Sequence, residues 1–248
     1  LPLRSALWIA SIAVDVAGVL AAGNENDWRV SPAHFAERYA LIVIIALGES
    51  IVAIGVGAAH ATIDAAVIAV AVLGVFLSAA LWWLYFDVAA LATERRLSAM
   101  EAGQEQNALA RDAYSYVHLL LVAGIVLLAL GLKSVMAHVS EPLHIEAAVA
   151  LAGGVALYLF GHVAFRYRFT RTINRERLGV GIVLVVLVPV ATTVPAWAAL
   201  VLVAVITWAL VTYETTAWSD TRKYIRNEHG LPDNDGLVRR DPTGSATP

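Results

Sequence analysis

The residues best suited to chemistry lie in one apolar run, "HFAERYALIVIIALGES", at residues 34–50. His34, Glu37 and Arg38 open this run, and Glu49 lies well inside it. We call these four residues the polar stripe, because on a helix turning about 100° per residue they occupy about one third of the circumference. Charged groups in hydrocarbon cost about 2.5–3.5 kcal/mol each, so they usually face protein or water. The stripe therefore predicts a helix face directed into a bundle.

Two carboxylates are predicted at a similar depth in the membrane. A helix entering near Arg38 places Glu49 about 16 Å further on, close to the centre of a hydrocarbon core about 30 Å thick. Asp15 occupies the matching depth of the preceding apolar segment. Two close carboxylates cannot both ionise cheaply, so Asp15 and Glu49 could bind a proton or cation. The simpler interpretation is that each is protonated or hydrogen-bonded and only fixes helix packing.

A second set of polar residues is predicted near one membrane surface, where the ends of neighbouring helices meet. Its histidines and carboxylates could hold a zinc-like ion, although ion pairs such as Arg38 with Asp87 explain them as well. The adjacent rings fit an aromatic belt at the headgroups or, alternatively, a stacking surface for a substrate. The candidate ion- or substrate-binding residues are Asp15, His34, Glu37, Arg38, Glu49, Ser50, Trp82, Tyr85, Asp87, His118 and His162.

The composition is that of a membrane protein. Of 248 residues, 59% are hydrophobic and 15% charged, whereas soluble domains are about 45–50% apolar and about a quarter charged. The absence of cysteine excludes disulfides and thiolate metal sites. A net charge of -3 gives no indication of nucleic-acid binding.

Seven segments are long and apolar enough to be predicted as membrane helices, so the expected fold is an all-α polytopic transmembrane bundle. Pro189 predicts a kink, and Pro195 predicts a tight turn between the last two spans. Glycines on the fourth and fifth spans predict close helix approach: Gly124 and Gly131 on one, Gly153, Gly154 and Gly161 on the other. The predicted spans are 5–23, 38–57, 65–90, 116–139, 145–165, 178–194 and 196–213.

The basic residues predict the orientation of these spans. Fifteen of the seventeen lysines and arginines fall in alternate connections or the tail, and the positive-inside rule makes that side cytoplasmic. The N-terminus is then outside and the C-terminus inside. Residues 219–248 are polar and predict a disordered cytoplasmic tail.

Three sequence blocks resemble those of the bacterial low temperature requirement protein A (LtrA) family. They are "HFAERYALIVIIALGES", "ALWWLYFD" at 80–87 and "HLLLVAGIVLLALGLK" at 118–133. The resemblance implies a multi-pass protein of the bacterial inner membrane, normally longer, so that N-terminal helices would be missing here. It supplies no molecular activity. The residues that match family positions are His34, Glu37, Arg38, Gly48, Glu49, Ser50, Trp82, Tyr85, Asp87, His118 and Gly124.

Three functions remain open at this point. A transporter or ion-coupled carrier would use the mid-membrane carboxylates, since carriers bind near the midplane. A structural or sensory protein would act through the arginine-rich fifth loop and the tail. A metal-dependent intramembrane enzyme is the weakest alternative, because zinc-helix, nucleophile-elbow and phosphate-loop motifs are absent. The expected partners are the lipid bilayer, a small ion or solute, and a second copy of the chain; cofactor and metal stay open.

Overall fold

The structure, a computed structural model, describes residues 3–22, 31–59, 61–87 and 97–217, with the side chains of the first range described through residue 18. These residues form seven helices and no strands, which confirms the all-α class. Five of the helices, α2–α5 and α7, are long and apolar enough to cross a membrane. The helices are α1 (Leu3–Ala22), α2 (Pro32–Ala58), α3 (Ala65–Phe86), α4 (Gln104–Ala137), α5 (Ile145–Thr170), α6 (Arg175–Ala191) and α7 (Ala196–Ala217).

Local chemistry explains several helix boundaries. The Asp64 side chain accepts a hydrogen bond from the Val67 amide (2.8 Å) and caps the start of α3, and the Asn174 side chain caps α6 in the same way (3.1 Å). Such caps satisfy amides that have no partner within the helix. Arg171 ends α5 in the left-handed region at φ 56°. The predicted turn at Pro195 is present, and the Ala196 amide donates to the Glu141 carbonyl there (2.8 Å).

The helices α4 and α5 approach so closely that their glycines are required. A Cβ added at Gly124 would lie 2.6 Å from the Tyr158 amide nitrogen, and one at Gly131 would lie 2.6 Å from the Leu151 backbone. A Cβ added at Gly154 would likewise overlap the backbone of α4, and one added at Gly161 would overlap Leu121. The predicted glycine packing is confirmed at these four positions. Gly153 is different, because a Cβ there would make only an ordinary contact within its own helix.

The face of α2 that enters the bundle is not the polar stripe. Its buried residues pack mainly against α4 and are Ala36, Val43, Ala46, Leu47, Ser50, Ala53 and Ile54. His34, Glu37, Arg38 and Glu49 are all exposed on the opposite side. The prediction that the polar stripe faces the interior is therefore wrong. The reason is that one helix can bury only one face against α4, and the face with small and apolar residues fits there without stranding a charge.

The helix α1 stands apart from this core. None of its described side chains is buried, and its apolar residues, such as Leu7 and Val14, are exposed at 61% and 70%. Asp15 is also exposed, so the structure does not bury it beside Glu49. The predicted tail, 219–248, lies outside the described residues, as do 88–90 of the predicted third span.

Candidate functional site

Six tyrosine and histidine side chains from four helices meet inside the bundle. We call them the tyrosine–histidine cluster. Its members lie on α2 to α5, and most of them are almost completely buried: Tyr85 is exposed at 1%, His118 at 2% and His162 at 3%. The members are Tyr39, Tyr85, Tyr114, His118, Tyr158 and His162.

The rings of the cluster are in mutual contact around His118. Its ring stacks on that of Tyr114 at a centroid distance of 5.2 Å and meets the edge of Tyr39 at 5.2 Å. Tyr85 lies 5.6 Å from His118 and 6.1 Å from His162. Tyr158 contacts His162 at 4.6 Å. The two histidines therefore flank the ring of Tyr85.

Hydrogen bonds assign the tautomer of His118. Its Nδ1 lies 3.4 Å from the Ala113 carbonyl oxygen, which can only accept, so Nδ1 carries the proton in the neutral ring. The Nε2 atom is then an acceptor, and it lies 2.8 Å from the Tyr85 hydroxyl. The Tyr85 hydroxyl consequently donates this hydrogen bond, and Nε2 of His118 accepts it. A proton displaced along this bond would leave a tyrosinate and an imidazolium, which is the chemistry of a proton relay.

A second buried nitrogen lies beside this hydrogen bond. The Nε2 atom of His162 has no hydrogen-bond partner among the described residues. The neighbouring Tyr158 hydroxyl is occupied, because it donates to the Leu81 carbonyl oxygen of α3 (2.7 Å). A buried polar atom without a partner costs about 1–3 kcal/mol, so its presence needs an explanation.

Irregular helix turns position both histidines. Residues Arg111–Val117 of α4 form π-helical turns immediately before His118. A second π-helical segment, Val149–Gly153, precedes Tyr158 and His162 on α5. Such insertions are rare, shift the faces that follow them, and occur frequently at functional sites.

A mostly buried ion pair lies beside the cluster. Arg177 at the start of α6 donates from Nε and Nη2 to the Glu214 carboxylate of α7, at 2.8 and 2.7 Å. Its Nη2 also donates to the Leu84 carbonyl (3.2 Å), next to Tyr85, and Asn174 donates to Glu214 (3.2 Å). The side chains of the pair are exposed at 12% and 15%. The pair thus joins the ends of α3, α6 and α7.

The structure brings together only part of the predicted site. The ring of Tyr85 lies against both His118 and His162. Asp87 is half-buried two residues beyond Tyr85, and Ser50 is fully buried on α2 with an Oγ that has no partner in the described structure. The remaining predicted site residues are exposed and do not join the cluster: Asp15, His34, Glu37, Arg38, Glu49 and Trp82.

The zinc-like alternative finds no ligand set in the described part of the chain. No group of three or more His, Cys, Asp or Glu side chains there could hold a metal ion. His118 and His162 have tyrosines rather than carboxylates as neighbours. The alternative ion pair also fails for Arg38, which is exposed and belongs to none of the ion pairs among the described residues.

Several site residues were missed from the sequence: Tyr39, Tyr114, Tyr158, Arg177 and Glu214. A signal for two of them was available. Tyr114 precedes His118 by four residues, and Tyr158 precedes His162 by four, the spacing that places two side chains on one helix face. The Arg177–Glu214 pair had no such signal, because its members lie 37 residues apart on different helices.

Comparison with known proteins identifies a family and a relative of this chain. The family model described as bacterial low temperature requirement A protein (LtrA) matches residues 1–212. The uncharacterized protein RA0937 of Rhizobium meliloti (strain 1021) is 29% identical over 167 residues, which are 64% of this chain and 40% of that protein. The match thus spans about two fifths of the relative's length. No solved structure matches the chain.

The family match covers most of the chain, including all six members of the tyrosine–histidine cluster. Five described helices can span a membrane. The chain belongs to the bacterial low temperature requirement A (LtrA) family and is an integral, multi-pass membrane protein.

Proposed function

We propose that this protein is an ion-coupled carrier and that the tyrosine–histidine cluster is its internal proton site. The observation that supports this most directly is the buried hydrogen bond from Tyr85 to His118, with an unpartnered nitrogen of His162 beside it. Ionisable groups within membrane bundles are functional by default, and histidine chains serve as proton relays in pumps and transporters.

The helix geometry adds independent support. Carriers bind their substrates and coupling ions where transmembrane helices depart from regular geometry. Here π-helical segments occur on the two helices that supply the histidines, α4 and α5. The mid-membrane carboxylates expected from the sequence, Asp15 and Glu49, give no such support, because both lie outside the bundle. We place the carrier in the bacterial cytoplasmic membrane, with its arginine-rich connections inside.

Proton movement into proteoliposomes tests the proposal. The full chain is reconstituted around a pH-sensitive dye, and a proton, sodium or potassium gradient is imposed. We expect flux above that of empty liposomes and a loss of about a hundredfold in His118→Gln, because a positioned acid–base group contributes about 10²–10⁴ to a proton-transfer rate. His144→Gln is the matched control, since His144 is exposed and lies outside the cluster.

Two outcomes would overturn the proposal. Wild-type flux equal to that of empty liposomes under all three gradients would exclude an ion-coupled carrier of this kind. Flux in His118→Gln equal to that in His144→Gln would exclude the cluster as the proton site. Circular dichroism and monodisperse elution of each variant establish that any loss of flux is not a loss of folding.

A structural or sensory role is the second candidate, and it is favoured by the turn between α5 and α6. Arg171 and Arg175 are exposed there, beside Ile173, which is exposed at 52%. A basic, partly apolar turn of this kind suits contact with anionic headgroups. The flux measurement separates the two candidates, because this second role requires no proton movement.

A further inference from the structure

The outer face of α2 has a composition that lipid does not favour. It carries the polar stripe together with apolar residues and two glycines, and it lies opposite the face that packs against α4. Exposed apolar residues such as Ile45 (73%) and Val52 (57%) suit lipid chains. Glu49 does not, since a carboxylate near the centre of the hydrocarbon costs about 2.5–3.5 kcal/mol. Something other than lipid should therefore cover this face.

The glycines on this face are open to a neighbouring helix. A Cβ added at Gly48 or Gly55 would meet no atom within 4 Å. The two lie seven residues apart, which is also the spacing of Gly124 and Gly131, the pair that α4 uses to contact α5. Small residues at such spacing allow membrane helices to approach closely. The outer face of α2 has the same small-residue spacing, and no helix among the described residues packs against it.

The charged residues Glu37 and Arg38 indicate which partner covers the outer face of α2. Two copies of one membrane protein insert in the same orientation, so their α2 helices pair in parallel and equal positions lie at equal heights. Glu37 and Arg38 lie about 100° apart and flank the middle of the outer face. In a parallel two-fold pair, residues that flank the contact on opposite sides meet across it. Glu37 of each copy then faces Arg38 of the other, and both ion pairs form at once.

We propose that the outer face of α2 is the interface of a homodimer. Val52 and Gly48 lie near its centre, Glu37 and Arg38 pair across one end, and Glu49 is removed from lipid by the second copy. This inference does not depend on the carrier proposal, because the tyrosine–histidine cluster lies within a single chain.

Cysteine cross-linking provides the test, and the chain has no cysteine of its own. Val52→Cys is introduced into the full chain, expressed in a bacterial membrane and oxidised there. We expect its band to shift from the 26.4 kDa monomer to twice that mass, because a disulfide needs Cα atoms about 4.4–6.8 Å apart. Val186→Cys on α6 is the matched control, since Val186 is exposed at 67%, and it should stay monomeric.

Charge reversal tests the pairing itself. In the Val52→Cys background, Glu37→Arg should reduce the dimer band, and adding Arg38→Glu should restore it. A monomeric Val52→Cys band, or equal dimer bands for Val52→Cys and Val186→Cys, would overturn the homodimer and leave the face to helices of another chain or segment. Failure of the double variant to restore the band would overturn the Glu37–Arg38 contact.

Discussion

The carboxylates of α2 and α7 have opposite surroundings in this molecule. Glu214 near the end of α7 is mostly buried and accepts hydrogen bonds from both Arg177 and Asn174. Glu49 on α2 is exposed and belongs to no ion pair among the described residues. Both lie on apolar helices, so hydropathy alone does not separate them. The difference is that α7 meets an arginine at the start of α6, whereas the outer face of α2 packs against none of the described helices.

The same contrast holds for the glycines and for the helices as wholes. A Cβ added at Gly124, Gly131 or Gly154 would lie 2.6–2.7 Å from the backbone of the facing helix, so α4 and α5 are in close contact where they carry the tyrosine–histidine cluster. A Cβ added at either glycine of the outer face of α2 would meet no atom of the described residues within 4 Å, and α1 has no buried side chain among those described. We infer that α3 to α7 and the inner face of α2 pack together into one core. The outer face of α2 is available to pack against a further helix.

The largest expected effect on stability concerns the two carboxylates. Glu214→Gln should lower the free energy of unfolding by about 3 kcal/mol, because it leaves the nearly buried Arg177 cation without its counter-charge. Glu49→Gln, the matched substitution, should change it by less than about 0.5 kcal/mol. Denaturant or thermal unfolding in detergent measures both. Equal losses in the two variants would contradict the contrast between the two helices.

A smaller effect is expected at the glycines. Gly131→Ala should cost about 2 kcal/mol, because its new methyl group would overlap the Leu151 backbone, which cannot move without separating α4 from α5. Gly179→Ala on α6 provides the comparison, since a Cβ there meets nothing within 4 Å, and it should stabilise by up to about 1 kcal/mol through helix propensity. The sign of the change in melting temperature distinguishes the two cases, and a stabilised Gly131→Ala would refute the close approach.

The smallest expected effect lies inside the cluster. Tyr158→Phe removes one hydroxyl that donates to the Leu81 carbonyl and should cost about 1 kcal/mol, the usual net value of one hydrogen bond. Tyr213→Phe on α7 is the control, because Tyr213 is exposed at 50%, and its melting temperature should match that of the wild type. If both variants melt alike, the bond from α5 to α3 contributes nothing to the bundle.

Much of the fold could be predicted because membrane helices are specified locally. The apolar runs, the turn at Pro195 and the glycine face of Gly124 and Gly131 each depend on neighbouring residues in the sequence. Helix lengths followed less directly from the apolar runs: α4 begins at Gln104, ahead of the apolar run that starts near residue 116, since the helix formers of the third loop continue directly into it. The candidate site was predicted through Tyr85, His118 and His162, but without the tyrosines that surround them.

By itself, the sequence determined that the chain is a helical membrane protein and that α2 carries its charged residues on one face. It could not determine whether that face points into or out of the bundle, because the same polar stripe is compatible with an internal site and with an external interface. Only the tertiary structure decided this, because only one face of α2 can pack against α4. The face that does so is the small, apolar one containing Val43 and Ser50, since packing it there buries no charge. The same packing brought tyrosines and histidines of four helices into one cluster, a meeting that no local pattern specifies.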